Sequence, residues 1–275
     1  MELRSVWVVA VRELREALHN RWLLIYTIGF TVLAFMLARA SLISAGYAGL
    51  GGFGRTAASL VNALLLFVPL LGLSVGAGAL AGDRERGTLL YLLAQPVSRT
   101  EVFLGKVLGS GLAIAAALGI GFGMAALALS TGAGGDVTAY LGLVGYTALL
   151  ALACLALGFL ISAWTRKSST ATGAALLTWL ALAFVGDLGV VGATLALRPS
   201  PARLMGMLVV NPLQTFKLGA IYSLNSTLDV LGAVGQYAVY RFGSALPMLL
   251  AGLLMAWIVL AFSLAYLVFS RGRYA

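Results

Sequence analysis

Six stretches of this chain, at roughly 22–42, 58–81, 104–131, 138–164, 169–197 and 244–270, run for about twenty residues or more with almost no charge. A helix needs about 20 mostly apolar residues to cross the hydrocarbon core of a bilayer. A soluble domain carries about a quarter charged residues; here 10% are charged and 61% are hydrophobic, too little polar surface to clothe a globule of 275 residues. The sequence therefore specifies an all-α integral membrane protein with six transmembrane helices. Neither an internal repeat nor a linker divides it, so residues 1–275 form one domain. The first run begins late and follows a charged helix, unlike a cleaved signal peptide.

Lys and Arg set the orientation, because they are enriched in cytoplasmic loops. With the N-terminus inside, the outer side holds Arg39, Arg55, Arg198, Arg203, Lys217 and Arg241; the other twelve of the eighteen fall inside. Both termini are then cytoplasmic. The net charge of +9 belongs to basic flanks meeting anionic lipid, not to nucleic acid. Residues 2–20 are expected to form a helix lying on the membrane, an elbow supporting the first span. Trp7, Val11, Leu14 and Leu18 make its apolar stripe, and Arg12, Glu13, Arg15, Glu16 and His19 take the other faces.

Several chemistries are disfavoured. With one His and one Cys, Cys154, an embedded haem, copper or zinc enzyme is hard to build. Secondary carriers keep ion-pathway charges near the midplane, and these runs hold almost none. "GLGGFGRT", Gly49 to Thr56, imitates a phosphate-binding loop, but Arg55 replaces the lysine and no strand precedes it; it reads as an outer turn between the first two spans. Inside the second span, Gly72/Gly76 and Gly78/Gly82 have the spacing of close helix packing. The chain holds no nucleotide site of its own.

One cytoplasmic stretch breaks the apolar pattern: "DRERGTLLYLLAQPVSR", Asp83 to Arg99. Arg84 to Ala94 can form three helical turns that Pro96 ends. Ser98 and Glu101 are spaced as a capping box opening the next helix, with Val97 and Val102 as its hydrophobic staple. Two helices thus meet at a defined corner. Its charged end and leucine face suit either a groove on a cytoplasmic partner or the lipid interface.

"ERGTLLYLLAQPVSRTEVFLGK", Glu85 to Lys106, resembles the coupling-helix region of type-2 ABC transporter permeases. There a Glu-x-Gly-Thr-Leu run, a Leu-Leu, a Pro, a Ser-Arg and a Leu-Gly-Lys recur in that order. "REL" at Arg12, "NRWLL" at Asn20, "KSSTATG" at Lys167, Asp187 and "NPLQTFKL" at Asn211 resemble the branch that supports copper-site maturation of nitrous oxide reductase. Gln214 stands where that branch has an acidic residue. The resemblance implies a homodimeric permease of the bacterial inner membrane. Each copy seats its coupling helix in a cytoplasmic ABC ATPase subunit that binds ATP-Mg, and this chain binds no cofactor. Coupling falls on Asp83, Arg84, Glu85, Arg86, Gly87, Thr88, Leu89, Leu90, Leu93 and Pro96, with Ser98 and Glu101 capping the corner. A periplasmic β-helical protein and a copper chaperone are the further partners implied. An exporter permease for a drug, lipid or glycan, and a membrane scaffold without transport, are the alternatives.

On the outer side, 198–243 is expected to form two or three short helices on the interface, with Ser200-Pro201 and Asn211-Pro212 as N-caps followed by proline, and Leu213, Phe216, Ala220 and Leu224 as a stripe. Arg203, Asn211 and Lys217 are the candidate partner surface. Asp187 has two readings. Either span five ends near residue 186, or Asp187 lines the outer mouth of the path or pairs with Arg198 or Arg203. Met205 and Met207 are a candidate thioether pair for Cu(I), against the alternative of ordinary packing.

Overall fold

The structure, a computed structural model, describes residues 2–47, 49–130, 137–197, 199–224 and 232–272, with side chains described at all of these but 37, 40–59 and 232–233. Among the described residues there is no strand. The α-helices are α1 (Leu3–Leu18), α2 (Arg21–Tyr47), α3 (Gly49–Glu85), α4 (Thr88–Leu93), α5 (Arg99–Ser130), α6 (Val137–Trp164), α7 (Ser168–Leu197), α8 (Pro201–Val209), α9 (Pro212–Ser223), α10 (Gly232–Phe242) and α11 (Leu246–Arg271). Among the described residues five helical segments are long and apolar enough to cross a membrane, six if α8 and α9, bent by 111° at their junction, count as one. The six apolar runs lie on α2, α3, α5, α6, α7 and α11. At 1.5 Å per residue the 28 residues of α6 reach about 42 Å.

Helices α3 and α6 form the centre, and glycine lets them touch. A Cβ on Gly72 would stand 2.7 Å from the Ala151 carbonyl oxygen, and one on Gly76 2.9 Å from Gly158 Cα. The expected Gly78/Gly82 pair does not pack this way: nothing lies within 4 Å of a Cβ at Gly78. Buried Cys154 fills space beside Gly72. Ser162 of α6 ties the two backbones: its hydroxyl donates to the Ala77 carbonyl at 2.7 Å and accepts from the Leu80 and Ala81 amides at 3.0 and 2.8 Å. Pro69 sits inside α3 and has no N–H for the Leu65 carbonyl one turn back. Trp179 of α7 donates its indole N–H to that carbonyl at 3.5 Å. Where the ends of α5, α6 and α11 meet, Phe103 packs with Phe159, Tyr266 and Phe269 at centroid distances of 5.8, 5.4 and 5.7 Å.

Three expectations change. "GLGGFGRT" is not a turn: Gly49 to Thr56 is the first part of α3. Helix α1 does form, but it lies along α5 more than it supports α2. Its buried face is Val6, Val9 and Ala10, while Trp7 and Leu18 are exposed. Trp7 and Leu18 of the bulky stripe are thus left for the surroundings, Leu14 is half-buried against the core, and the small residues meet α5, where Cβ atoms on Gly105 and Gly109 would stand 2.6 Å from Val9 Cβ and 2.5 Å from the Ala10 carbonyl oxygen. The segment after α7 contains short helices, but α9 is not interfacial. Leu213 through Phe216 and Leu218 through Ile221 are all buried, and α9 is packed among α3, α6, α7 and α11.

Candidate functional site

The run from Asp83 to Glu101 folds into a corner at the end of the bundle where α3, α6 and α11 finish and α5 and α7 begin. The expected three-turn helix from Arg84 to Ala94 is divided. Helix α3 continues through Glu85, and the chain then breaks at Gly87, whose φ of +73° is left-handed. An L side chain is strained there, so glycine serves conformation, since a Cβ would meet nothing within 4 Å. The six residues of α4 follow, and Ala94 closes it two positions before Pro96. The Ser98 hydroxyl accepts from the Glu101 amide at 3.2 Å while the Glu101 carboxylate accepts from the Ser98 amide at 2.9 Å. Val102 is buried and Val97 half-buried against the same core. The Glu101 carboxylate also takes the Glu2 amide at 2.6 Å, pinning the start of α1. These amide donors, Ser98 before Glu2, hold its carboxyl below the usual range.

The four charges of the corner turn inward or along the surface to internal partners. Asp83, only 1% exposed, meets Lys106 Nζ at 2.7 Å through Oδ2 and Arg86 at 2.9 Å through Oδ1. Lys106, also 1% exposed, donates to Glu13 at 2.6 Å. Burial pushes the Glu13 carboxyl up, against the pull of Lys106. Arg84 donates to the Thr165 carbonyl at the end of α6. Glu85 accepts from the Ser168 amide at 2.8 Å, capping α7. Thr88 donates to the Asp83 carbonyl at 3.2 Å. Asp83 is thus interior, and so is Leu89, 1% exposed, although both were expected on the coupling face. Besides Glu85 to Gly87 and Ser98–Arg99 at its edges, the corner presents outward Leu90, 55% exposed, Tyr91, 70% exposed, and Ala94 through Pro96, with Leu93 half-buried behind them.

Sequence reading missed Tyr91, Glu13 and Lys106. Tyr91 was legible as the one aromatic in "TLLYLL". Glu13 continues the Val6–Val9–Ala10 stripe at helical spacing, and Gly105 and Gly109 flank Lys106 as small-xxx-small, a signal that α5 receives another backbone there.

At the other end of the bundle α7 is unbroken through Asp187, so no helix end stands near residue 186. Asp187 is exposed, and its Oδ1 accepts from Gln214 at 3.0 Å and from Lys217 at 3.3 Å. Its basic partner is therefore Lys217; Arg198 lies outside the described residues, and Arg203 is exposed. Asn211 is committed to structure: its side chain accepts from the Leu213 amide at 2.9 Å and donates to the Leu182 carbonyl at 2.6 Å. Ser200 stands at the N-cap of α8 without a side-chain cap bond. Met205 is buried and Met207 exposed, on opposite sides of α8, so their thioethers do not converge. Among the described residues no three His, Cys, Asp or Glu side chains gather to hold a metal.

Residues 7–272 match the family described as "ABC-2 family transporter protein". The chain is 33% identical to the probable ABC transporter permease protein NosY of Stutzerimonas stutzeri, over 98% of this chain and 99% of that protein. It is 34% identical to the protein of the same name from Pseudomonas aeruginosa, over 97% of this chain and 98% of the relative. A chain whose described residues are helical, with five to six apolar spans among them, and which such permeases match over nearly its whole length, belongs to the ABC-2 family of transporter permeases.

Proposed function

We propose that this chain transmits the work of a separate cytoplasmic ATPase across the bacterial inner membrane through the outward face of α4. The observation that carries this is a greasy pair, Leu90 and Tyr91, exposed on a short helix whose position is fixed at both ends, by the left-handed Gly87 and by the Ser98–Glu101 box. A helix held rigidly with its apolar side outward suits a groove on a partner. Two copies of the chain would pair, each engaging one ATPase subunit, and ATP-Mg would bind only there.

The α1/α4 end is read as cytoplasmic. The Lys and Arg count favours it, and Trp22 and Trp164 are exposed at that end of α2 and α6, beside Arg21 and Arg166–Lys167, as interface anchors are. The far end, with exposed Arg203 and the Asp187–Lys217 pair, then faces the periplasm and is the candidate grip for a β-helical partner. The motif resemblance to the branch that serves nitrous oxide reductase, alongside two relatives named as permeases NosY, favours copper-site maturation of that enzyme as the process served.

The test is co-expression with the cognate ATPase. The Leu90→Ser/Tyr91→Ser variant is expected to reach the membrane and elute as a single species without the ATPase. Retention of the ATPase at the wild-type level, with unchanged stimulation of its activity, refutes the docking assignment.

A further inference from the structure

Three helices distant in sequence deliver their charges to one buried point. Lys106 on α5 lies 2.6 Å from Glu13 on α1 and 2.7 Å from Asp83 at the end of α3. Arg86, its side chain 64% exposed, closes the group from the solvent side of the corner, 2.9 Å from Asp83 and 4.0 Å from Glu16 on α1, so the buried ions are Glu13, Asp83 and Lys106. Two carboxylates thus face two cations. The close approach at Gly105 and Gly109 lays α1 directly on α5 and brings Glu13 to Lys106. The other end of α1 is fastened to the same corner, because the Glu2 amide donates to the Glu101 carboxylate that caps α5. Helix α4 hangs from this assembly through Thr88, whose hydroxyl donates to the Asp83 carbonyl.

Buried ion pairs are poor sources of net stability, since desolvation consumes most of the attraction. Separating them is another matter, because each charge is then left alone in a low dielectric. Such a cluster resists relative movement of the parts it joins. We infer that Glu13, Asp83, Lys106 and Arg86 are an ionic clamp that makes α1 and the α3–α4–α5 corner move as one body, with Lys106 as its positioning residue. Displacement of α4 is then delivered to α1, and through its exposed Trp7 and Val8 to the membrane surface. The inference rests on the reading of α4 as the ATPase contact.

The experiment uses the reconstituted permease–ATPase complex. Glu13→Ala keeps the Cβ that packs on Gly109 and cuts the buried contact from α1, leaving Lys106 paired with Asp83 and only the exposed 4.0 Å Arg86–Glu16 contact to α1. The triple variant Glu13→Gln/Asp83→Asn/Lys106→Met removes the three buried ions while keeping side-chain size, and leaves the solvent-exposed Arg86 beside Glu16. Both are expected to retain the ATPase and the wild-type elution profile, yet to lose at least fivefold in permease-dependent stimulation of ATP hydrolysis. Spin labels at the exposed Val8→Cys on α1 and Leu108→Cys on α5, clear of the α4 face, supply a second readout. Their distance distribution should stay narrow on adding a non-hydrolysable ATP analogue in the parent and broaden in both variants. Arg12→Ala, which breaks the exposed Arg12–Glu16 pair, should change neither. If the parent couples but both clamp variants couple equally, with equally narrow distances, the clamp is overturned and the docking reading stands. If the parent neither retains nor stimulates the ATPase, both are overturned. A triple variant that does not fold leaves the decision to Glu13→Ala on the same readouts.

Discussion

Two glycines of α3, two residues apart, stand in opposite surroundings. A Cβ on Gly76 would come within 2.9 Å of both Gly158 Cα and the Phe159 nitrogen, and closer still to the Leu155 carbonyl oxygen. All three are backbone atoms, so relief requires α3 and α6 to part. A Cβ on Gly78 would meet nothing within 4 Å. Replacing either glycine by alanine in a helix gains the same propensity, about 0.5–1 kcal/mol, which cancels between the two variants. What remains is the cost of overpacking at Gly76, about 1–3 kcal/mol. At about 2–4 °C per kcal/mol, the Gly76→Ala midpoint should fall roughly 2–12 °C below that of Gly78→Ala. The assay is heating in detergent followed by fluorescence-detected gel filtration. Equal midpoints, or a lower one for Gly78→Ala, refute direct backbone contact between α3 and α6.

The same assay checks two further expectations. Ser162→Ala removes the oxygen to which two α3 amides donate and should cost about 1–3 kcal/mol, whereas Ser110→Ala, whose buried hydroxyl has no hydrogen-bond partner among the described residues, should be neutral or stabilising. Gly87→Ala should cost about 1–2 kcal/mol through its left-handed backbone, and Gly87→Asn measurably less, because asparagine tolerates that conformation; equal losses contradict the conformational account.

What the sequence disclosed was what depends on near neighbours. Apolar runs of twenty residues announce helices by length alone, and the Ser98–Glu101 cap is a pattern four residues long. Partners across the fold were hidden. Nothing local to Asp83, Arg84 or Glu85 says that their partners are Lys106, the end of α6 and the start of α7, so charges that look like a docking surface turn out to be internal fastenings. Helix α1 carries two apolar stripes, and weight of side chain favoured the wrong one for protein contact. Packing here goes through Val9 and Ala10 because Gly105 and Gly109 accept only small neighbours, while Trp7 stays outside. Helix α9 looked amphipathic from Leu213, Phe216 and Ala220, yet Gln214 and Thr215 are buried as well, each satisfied by a hydrogen bond no sequence pattern marks. Asp187 and Lys217, thirty residues apart, meet only because the α8–α9 bend returns the chain to α7.

The central claim is that the outward face of α4 is where the ATPase acts. A photo-crosslinking amino acid placed at Tyr91, in a complex that retains ATPase stimulation, tests it most directly. The account predicts an ultraviolet-dependent adduct with the ATPase subunit from position 91 and none from the buried position 89. An active complex in which position 91 crosslinks to lipid alone contradicts it.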